Sequence, residues 1–325
     1  IKAANYIIEN GAKTPTTPEE INIALGQAKY WRAVHYFWLV RRWGAVPLIL
    51  DTEVNYERPL ASIQEIYDQI VKDLQDCVTT LPTDYSKPPQ KYQGANIFIT
   101  KQAAQATLAA VYMAMAGWPL KKGQEYYSLA ATTAKNIIDN SGLYLTESYA
   151  ELWKEANKEQ ANEVMFAIHH NAKLKTASNY GKSYYPADFI PAGWADYYGN
   201  EAFYLNYPDD ERKAWNYMTE WNTKSGHVTY KESGDKLPAI SKYYNYDNGA
   251  PGSSQLANGI TCIYRYAEVL LMYAEASTRA TNSVNTQAIQ AIQEIQKRAG
   301  YADSQLTTTT DPTAFTTAVS NERGW

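Results

Sequence analysis

Two groups of residues in this sequence could do chemistry: the pair His169-His170 and the acidic run DDER at 209–212. Neighbouring side chains on a strand point to opposite faces, so the two histidines cannot share a metal ion. A glycosidase needs two carboxylates facing each other across a cleft, and a solvated turn with an internal ion pair explains the acidic run equally well. The sequence has no HExxH, CxxC, GxSxG or phosphate-binding glycine loop. We therefore expect no catalytic residue, no metal and no cofactor.

The clearest functional signal is the aromatic composition. The chain has 28 Tyr and 9 Trp but only 6 Phe, at a mean hydropathy of -0.49. Tyr and Trp combine a flat apolar face with a hydrogen-bonding edge, which suits half-wet binding surfaces. Sugars pack their C–H patches on such faces, and sugar hydroxyls form hydrogen bonds with Asp, Asn, Arg and Tyr. The composition favours a carbohydrate-like ligand.

The best local match to a sugar-binding platform is the stretch DFIPAGWADYY, from Asp188 to Tyr198. We expect Trp194, with Tyr197 or Tyr198, to stack on the ligand. Asp188 and Asp196 would bind its hydroxyl groups. Further stacking candidates in the same region are Tyr184, Trp215 and Trp221. The alternative for any single ring is that it covers an underlying layer of helices.

Charge and hydropathy restrict the partners. With 30 basic and 34 acidic residues and a pI near 5.7, the chain has no basic field to attract a nucleic acid. No apolar run approaches the roughly 18 residues that cross a bilayer. Cys77 and Cys262 lie far apart in helical patterns, which favours buried free thiols over one disulfide.

Helical periodicity predicts paired helices on both sides of the aromatic region. The first helix has a capping box at 17–20 and ends at Gly44. The other predicted helices run from Ser62 to before Pro82, from Thr100 to Gly117, from about Gln124 to Asn140, from about Tyr264 to Thr278, from Thr286 to Ala299, and onward from Asp311-Pro312. Hairpins of roughly 34 residues are typical of tetratricopeptide-type solenoids. The predicted class is mainly α, with a helical-hairpin scaffold at 17–160 and 262–323.

Between the hairpins lies a long segment without sustained periodicity. It begins with one predicted strand at 163–168 and is rich in aromatic residues from Tyr180 to Tyr246. Long irregular segments in compact domains are functional or disordered, and disordered segments have few aromatic residues. We therefore expect an ordered, loop-rich ligand-binding portion at about 169–260. Rings on the predicted helices, by contrast, are expected to pack in the scaffold; examples are Tyr36, Trp43, Tyr112 and Tyr266.

The stretch YWRAVHYFWLVRRWGAVPLIL at 30–50 resembles the hallmark of SusD-like (RagB/SusD) nutrient-binding proteins. Four further motifs look like that family and follow in its order: EIYDQIVKDLQDCVTTLP at 65–82, TKQAAQATLAAVYMAMAGW at 100–118, NEVMFAI at 162–168 and YRYAEVLLMYAEA at 264–276. The sequence departs from the family pattern at 94–96, where GAN replaces the usual Gly-Arg. These are scaffold motifs, so they transfer a fold and a role but no ligand-contacting residue.

The resemblance implies one SusD-like domain over 1–325, as a fragment of a longer protein. It implies a surface-exposed lipoprotein of the outer membrane of a Bacteroidetes-type bacterium, whose membrane contact is only through a lipid anchor outside this fragment. The implied partner is a SusC-like TonB-dependent transporter, and the implied role is capture of oligosaccharides or polysaccharides without cleavage.

Three alternatives stay open. The same scaffold could bind peptides or glycoproteins. The chain could be an α-helical toroid glycosidase that uses Asp209 or Glu211. It could also be a helical-repeat scaffold that binds only proteins, which would place aromatic residues on the concave faces of the repeats.

Overall fold

A computed structural model describes most of the chain. The described residues are 1–86, 89–92, 94–157, 162–171, 174–190, 193–243 and 258–325. Pro191 and Ala192 of the predicted platform lie outside them, as do Tyr244 and Tyr246 of the aromatic segment.

The prediction of a mainly α chain is confirmed. The helices are α1 (Lys2–Asn10), α2 (Pro18–Trp43), α3 (Ile63–Thr80), α4 (Lys101–Ala116), α5 (Gln124–Asn140), α6 (Tyr149–Trp153), α7 (Tyr180–Tyr184), α8 (Glu201–Asn206), α9 (Glu211–Asn216), α10 (Tyr266–Thr281), α11 (Thr286–Arg298) and α12 (Pro312–Gly324). The strands are β1 (Val46–Pro47), β2 (Leu60–Ala61), β3 (Lys91–Tyr92), β4 (Ala95–Asn96), β5 (Val164–His169), β6 (Tyr217–Met218), β7 (Glu220–Thr223), β8 (Gly226–Thr229), β9 (Ala239–Ile240) and β10 (Ile260–Arg265). Throughout the described ranges, every helix is too short or too polar to span a bilayer.

The long helices begin and end where their capping signals predict. The Thr17 hydroxyl accepts a hydrogen bond from the Glu20 amide at 3.2 Å, and Ser62 does the same for Glu65 at 3.2 Å. Two boundaries differ from the prediction. Helix α1 was not predicted, since no side chain caps its start. Helix α10 begins two residues later than expected, because strand β10 continues through Arg265.

The chain divides into two compact units. The first contains Ile1–Leu143, Tyr264–Ile292 and Thr308–Val319, and the second contains Tyr144–Ile263, Gln293–Thr307 and Ser320–Trp325.

In the first unit, successive helices pack side by side: α1 on α2, α2 on α3, α3 on α4, α4 on α5, and α5 on α10. Alanines on α4, among them Ala103, Ala104 and Ala109, are fully buried and allow this close approach. A buried ion pair joins α2 to α3, where the Arg32 guanidinium donates to both carboxylate oxygens of Asp73 at 2.7 and 2.8 Å. The predicted pairing of α2 with α3 and of α4 with α5 is therefore confirmed.

The predicted packing of the scaffold rings holds for three of the four. Tyr36, Tyr112 and Tyr266 are at most 5% exposed. Trp43 is 65% exposed, so the prediction for this ring is wrong. It occupies the last position of α2, where the next residue, Gly44, ends the helix.

The second unit is built from short elements. Its strands pair as β6 with β9, β7 with β8, and β5 with β10. Its described residues include two small hydrophobic clusters. Tyr185, Phe189, Trp221, Tyr230 and Ala239 form one, and Tyr149, Leu152 and Trp153 form the other. No disulfide joins Cys77 to Cys262. Cys77 is buried, as predicted, whereas Cys262 is half-buried, so the prediction of a buried thiol is wrong for Cys262. Burial raises the pKa of Cys77 to about 12.

Candidate ligand-binding surface

Four tyrosines of the second unit lie together and form what we call the tyrosine cluster: Tyr180, Tyr184, Tyr197 and Tyr243. The rings of Tyr184 and Tyr243 are stacked, with centroids 5.7 Å apart and planes 20° apart. Tyr180 lies 5.1 Å from Tyr243, and Tyr197 lies 5.3 Å from Tyr184. Tyr197 is 58% exposed and Tyr180 is 39% exposed. The cluster therefore presents aromatic faces and hydroxyl groups to solvent.

The environment favours the protonated form of two phenols of the tyrosine cluster, Tyr184 and Tyr243. Burial, and then the neighbouring tyrosines, raise the pKa of Tyr184. Burial also raises the pKa of Tyr243, with a smaller contribution from Tyr184. Because an upward shift favours the neutral phenol, both hydroxyls stay hydrogen-bond donors at neutral pH.

Trp194 extends this surface on an adjacent segment of backbone. Its indole is 53% exposed. The Trp194 amide donates to the carbonyl of Lys182 at 2.7 Å, and the Asp196 amide donates to the carbonyl of Ser183 at 2.9 Å. Lys182 Nζ lies 5.3 Å from the centroid of the Trp194 ring. Helix α7 thus supplies two of the four tyrosines of the cluster, Tyr180 and Tyr184, and the backbone carbonyl that fixes Trp194.

Gly193 is required by a close approach of two backbone segments. A Cβ atom at this position would lie 2.2 Å from the Tyr185 carbonyl oxygen and 2.6 Å from the Tyr185 Cβ. The Gly193 amide donates to the carbonyl of Pro186 at 3.1 Å. The following residue, Ala195, has a positive φ of 54°. This tight turn aims Trp194 outward.

A buried cluster supports the exposed rings from below. Tyr185 is 1% exposed and packs on Phe189 with ring centroids 4.9 Å apart. Trp221, on β7, is 3% exposed and donates from its indole nitrogen to Asp188 at 2.9 Å. Trp221 therefore cannot stack on a ligand in this arrangement. Asp188 is exposed and holds the Trp221 indole through one carboxylate oxygen, so its predicted contact with the ligand stays a prediction.

Two protein-family models match the chain that carries this surface. A model described as "starch-binding associating with outer membrane" matches residues 1–113, and the SusD family model matches residues 149–325.

The chain belongs to the SusD family. It is 28% identical over 302 residues to SusD-like protein P2 of Formosa agariphila, covering 85% of this chain and 56% of that protein. The chain thus spans about half the length of this curated relative.

Solved SusD structures share the fold. A SusD homologue of Bacteroides thetaiotaomicron superposes with a TM-score of 0.85 at 21% identity, covering 99% of this chain and 69% of that one. A structure determined with a xylogluco-oligosaccharide superposes with a TM-score of 0.77 at 23% identity, covering 98% of this chain and 66% of the other. These likenesses confirm the predicted tetratricopeptide-like SusD scaffold with its irregular portion.

Two other predicted stacking residues of this SusD family chain, Trp215 and Tyr198, are half-buried. Trp215, on α9, packs against the cluster of Tyr149, Leu152 and Trp153. The hydroxyl of Tyr198 donates to Asp235. Asp196 has an exposed carboxylate beside Tyr197 in the chain. Of the predicted residues, the structure brings together Tyr184, Trp194, Asp196 and Tyr197 at the surface.

Two of the three acids in the run at 209–212 have structural partners, whereas Asp209 is exposed. Asp210 caps α9 and pairs with Arg212 at 2.6 Å. Glu211 accepts hydrogen bonds from the amides of Tyr149 and Ala150 at 3.1 and 3.2 Å. Partial burial opposes the charged form of Glu211. Hydrogen bonds from Ser148 and these amides outweigh that effect and hold its pKa below the ordinary value. A general acid needs the opposite shift.

Of the histidine pair, His169 is the last residue of strand β5 and His170 follows it. His170 Nε2 is 2.8 Å from the Thr261 hydroxyl, and its Nδ1 is 3.2 Å from the Thr176 carbonyl oxygen. Within the described ranges, no three histidines, cysteines or carboxylates are grouped to hold a metal ion.

Three residues of the surface were not singled out from the sequence as site residues: Tyr180, Tyr243 and Lys182. The two tyrosines belong to the aromatic segment, so aromatic density was their only signal. Lys182 had none, because its place beside Trp194 depends on a backbone contact between residues 12 positions apart.

Proposed function

We propose that this chain binds oligosaccharides or polysaccharides at the outer-membrane surface without cleaving them. The observation that carries the proposal is the preorganised exposed surface formed by Trp194 and the tyrosine cluster. Trp194 and Tyr197 are 53% and 58% exposed although hydrogen bonds fix their backbone. Ordering a flexible platform would reduce affinity, and a fixed platform avoids that loss.

The chemistry of the surface suits a sugar ring. Flat aromatic faces pack against sugar C–H groups, and the neutral phenols of Tyr184 and Tyr243 can donate to or accept from hydroxyl groups. The Asp196 carboxylate and the Lys182 ammonium supply an acceptor and a donor at the edge. Support comes also from the family description, which names starch binding, and from the relative solved with a xylogluco-oligosaccharide.

Absence of catalysis is part of the proposal. Asp210 caps helix α9, and Glu211 accepts partly buried hydrogen bonds from backbone amides. The pKa of Glu211 is lowered. A retaining or inverting glycosidase needs one carboxylic acid that stays protonated. Of the two acids named for the glycosidase alternative, Glu211 is thus unsuited to act as the general acid, and Asp209, which is exposed, would need a second carboxylate elsewhere in the chain.

Replacement of two exposed rings tests the glycan-binding proposal. We expect Trp194→Ala/Tyr197→Ala to weaken binding of a xylogluco-oligosaccharide, or of another glycan found in a screen, by about 1–3 kcal/mol, as for other well-packed aromatic anchors. Isothermal titration calorimetry of the folded variant measures the loss. Tyr144→Ala is the matched control, because this ring is 62% exposed in the same unit and lies outside the surface.

Unchanged affinity in the folded double variant would contradict the placement. The calorimetric screen includes peptides and glycoproteins, so the peptide alternative would appear as binding in that arm alone. Chromatography of the glycan after long incubation should show no shortened products, and their appearance would support the glycosidase alternative.

We further propose the partner and location implied by the family. The chain would form part of a surface-exposed lipoprotein that delivers its ligand to a SusC-like TonB-dependent transporter. We expect a protein carrying this chain, tagged and purified from solubilised outer membranes, to retain a transporter encoded beside it. Recovery without any such β-barrel protein under mild detergent would count against the partnership. The single-domain organisation over 1–325 stays a prediction.

A further inference from the structure

Helix α2 carries an exposed row of aromatic and basic side chains that its packing does not explain. We call Trp31, His35, Trp38 and Arg42 the α2 stripe. They recur at intervals of four, three and four residues, so they lie on one face of the helix. Trp31 is 39% exposed and Trp38 is 49% exposed.

None of the four stripe residues belongs to the buried face of α2. Its buried residues are Gly26, Ala28, Tyr30, Arg32, Ala33, Val34, Tyr36, Phe37 and Val40. The solvent face of a surface helix ordinarily carries charged and polar residues. Two partly exposed indoles there, with Trp43 65% exposed at the helix end, give the described part of this unit an apolar surface.

The charged side chains on this part of α2 are all positive. From position 31 to 43 the sequence has no Asp or Glu. Arg41 and Arg42 are exposed, and neither forms an ion pair with any residue that the structure describes. The Arg42 guanidinium carbon lies 5.5 Å from the Trp38 ring centroid, and that of Arg41 lies 4.9 Å from the Phe37 centroid. The face therefore offers cations beside aromatic rings.

His35 adds a polar group between the two indoles. Its Nδ1 donates to the backbone carbonyl of Trp31, which leaves Nε2 directed away from the helix. The Trp31 and His35 rings have centroids 6.0 Å apart. Along the stripe, two indoles alternate with the His35 imidazole and the Arg42 guanidinium, and Arg41 lies beside the stripe.

We propose that the α2 stripe binds an acidic polysaccharide whose sugars carry carboxylates, that is, a polyuronate. Trp31 and Trp38 are separated by about 10.5 Å along the helix axis at 1.5 Å per residue, which is comparable with the length of a disaccharide. Sugar rings would pack on the indoles, and carboxylates would pair with the forked guanidinium of Arg42 and with Arg41. The stripe is made of residues of the first unit, whereas the tyrosine cluster is made of residues of the second.

The size of the patch favours a linear glycan over a protein partner. The two indoles of the stripe and that of Trp43 are partly exposed. Because an aromatic side chain buries about 150–250 Å² when covered, the three together offer roughly 300–400 Å² of aromatic surface. A stable protein interface buries about 800 Å² on each side. An extended polysaccharide needs only a narrow binding surface. Arginines without an ion pair on that surface would favour an acidic polysaccharide over a neutral one.

Polygalacturonate is the probe for this surface, with neutral laminarin as the uncharged comparison. We expect the wild-type chain to be retarded by polygalacturonate in affinity electrophoresis, and we expect retardation to fall as salt rises. Trp31→Ala/Trp38→Ala and Arg41→Gln/Arg42→Gln should each weaken retardation at least about tenfold, since truncation of interface aromatic or Arg anchors costs more than 1 kcal/mol. Circular dichroism checks that each variant is folded.

Trp118→Ala is the matched control. This indole is 79% exposed in the same unit, with Lys121 Nζ 5.0 Å from its centroid, but it lies outside the stripe. Equal loss in this variant would show nonspecific attraction and overturn the proposal. So would absence of polygalacturonate binding, equal binding of laminarin, or retention by the double variants. Sedimentation with vesicles of anionic lipid but no polygalacturonate binding would assign the stripe to a membrane instead.

Discussion

Gly193→Ala is expected to weaken glycan binding by about 2–4 kcal/mol, more than removal of a single exposed ring, because it misplaces several binding groups together. The added Cβ would lie 2.2 Å from a backbone oxygen of Tyr185, a separation that no side-chain rotation relieves. Tyr185 is 1% exposed and packed on Phe189, so the segment after Gly193 must move instead.

Movement of that segment breaks the backbone bonds that aim the platform. The Trp194 amide would lose the Lys182 carbonyl, and the Ala195 amide would lose the Tyr185 carbonyl, now at 2.7 and 3.0 Å. Overpacking of this kind also costs about 1–3 kcal/mol of folding free energy. Binding should fall further than stability, since Trp194 and Tyr197 are displaced together.

Calorimetry with the glycan that binds the wild-type chain measures the affinity, and urea unfolding measures the stability. Gly234→Ala is the control, because a Cβ there meets nothing within 4 Å and the position is in the same unit. If Gly193→Ala binds as tightly as Gly234→Ala, the platform does not depend on this turn. Loss of binding here while Trp194→Ala/Tyr197→Ala binds normally would place the site elsewhere in the unit.

The helical scaffold was predictable because its signals are local. Thr17 and Glu20 cap α2 reciprocally within four residues, and Ser62 and Glu65 do the same for α3. These pairs need no tertiary contact to be recognised. The stretch at 30–50 resembles SusD-like proteins and so predicted the family as well as the helices. The match of the SusD family model to residues 149–325 confirms that family.

The candidate site was predictable only as a region. Trp194 and Trp221 look alike in the sequence, since both lie in a segment without periodicity. Burial separates them: Trp194 is 53% exposed and Trp221 is 3% exposed. That difference depends on the β7–β8 hairpin and on Asp188, which accepts from the Trp221 indole 33 positions away. Tyr243 likewise joins the surface through contacts with Tyr180 and Tyr184 that no local pattern encodes.

Arg212→Met should lower the free energy of unfolding of the chain by about 3–5 kcal/mol, the expected cost of breaking a buried ion pair from one side. The Arg212 side chain is 3% exposed and lies between Asp210 at 2.6 Å and Glu322 at 2.5 Å. Its removal leaves two carboxylates in the interior, where neither water nor a cation compensates their charge.

The same change should also reach the binding surface. Arg212 lies on α9, and the last residue of that helix, Asn216, accepts a hydrogen bond from the Ser241 amide at 2.9 Å. Ser241 is two positions before Tyr243, which stacks on Tyr184. A shift of α9 would therefore displace one wall of the tyrosine cluster, so glycan affinity should fall in the folded fraction as well.

Urea unfolding followed by tryptophan fluorescence, together with calorimetry below the transition, measures both effects. Asp210→Asn/Arg212→Met/Glu322→Gln is the decisive companion variant, because it removes all three charges. Replacing a whole buried ion network with neutral groups is often close to neutral for stability. The triple variant should therefore regain most of the stability that Arg212→Met loses. A loss below about 1 kcal/mol in Arg212→Met, or an equal loss in both variants, would show that uncompensated buried charge is not what the arginine prevents.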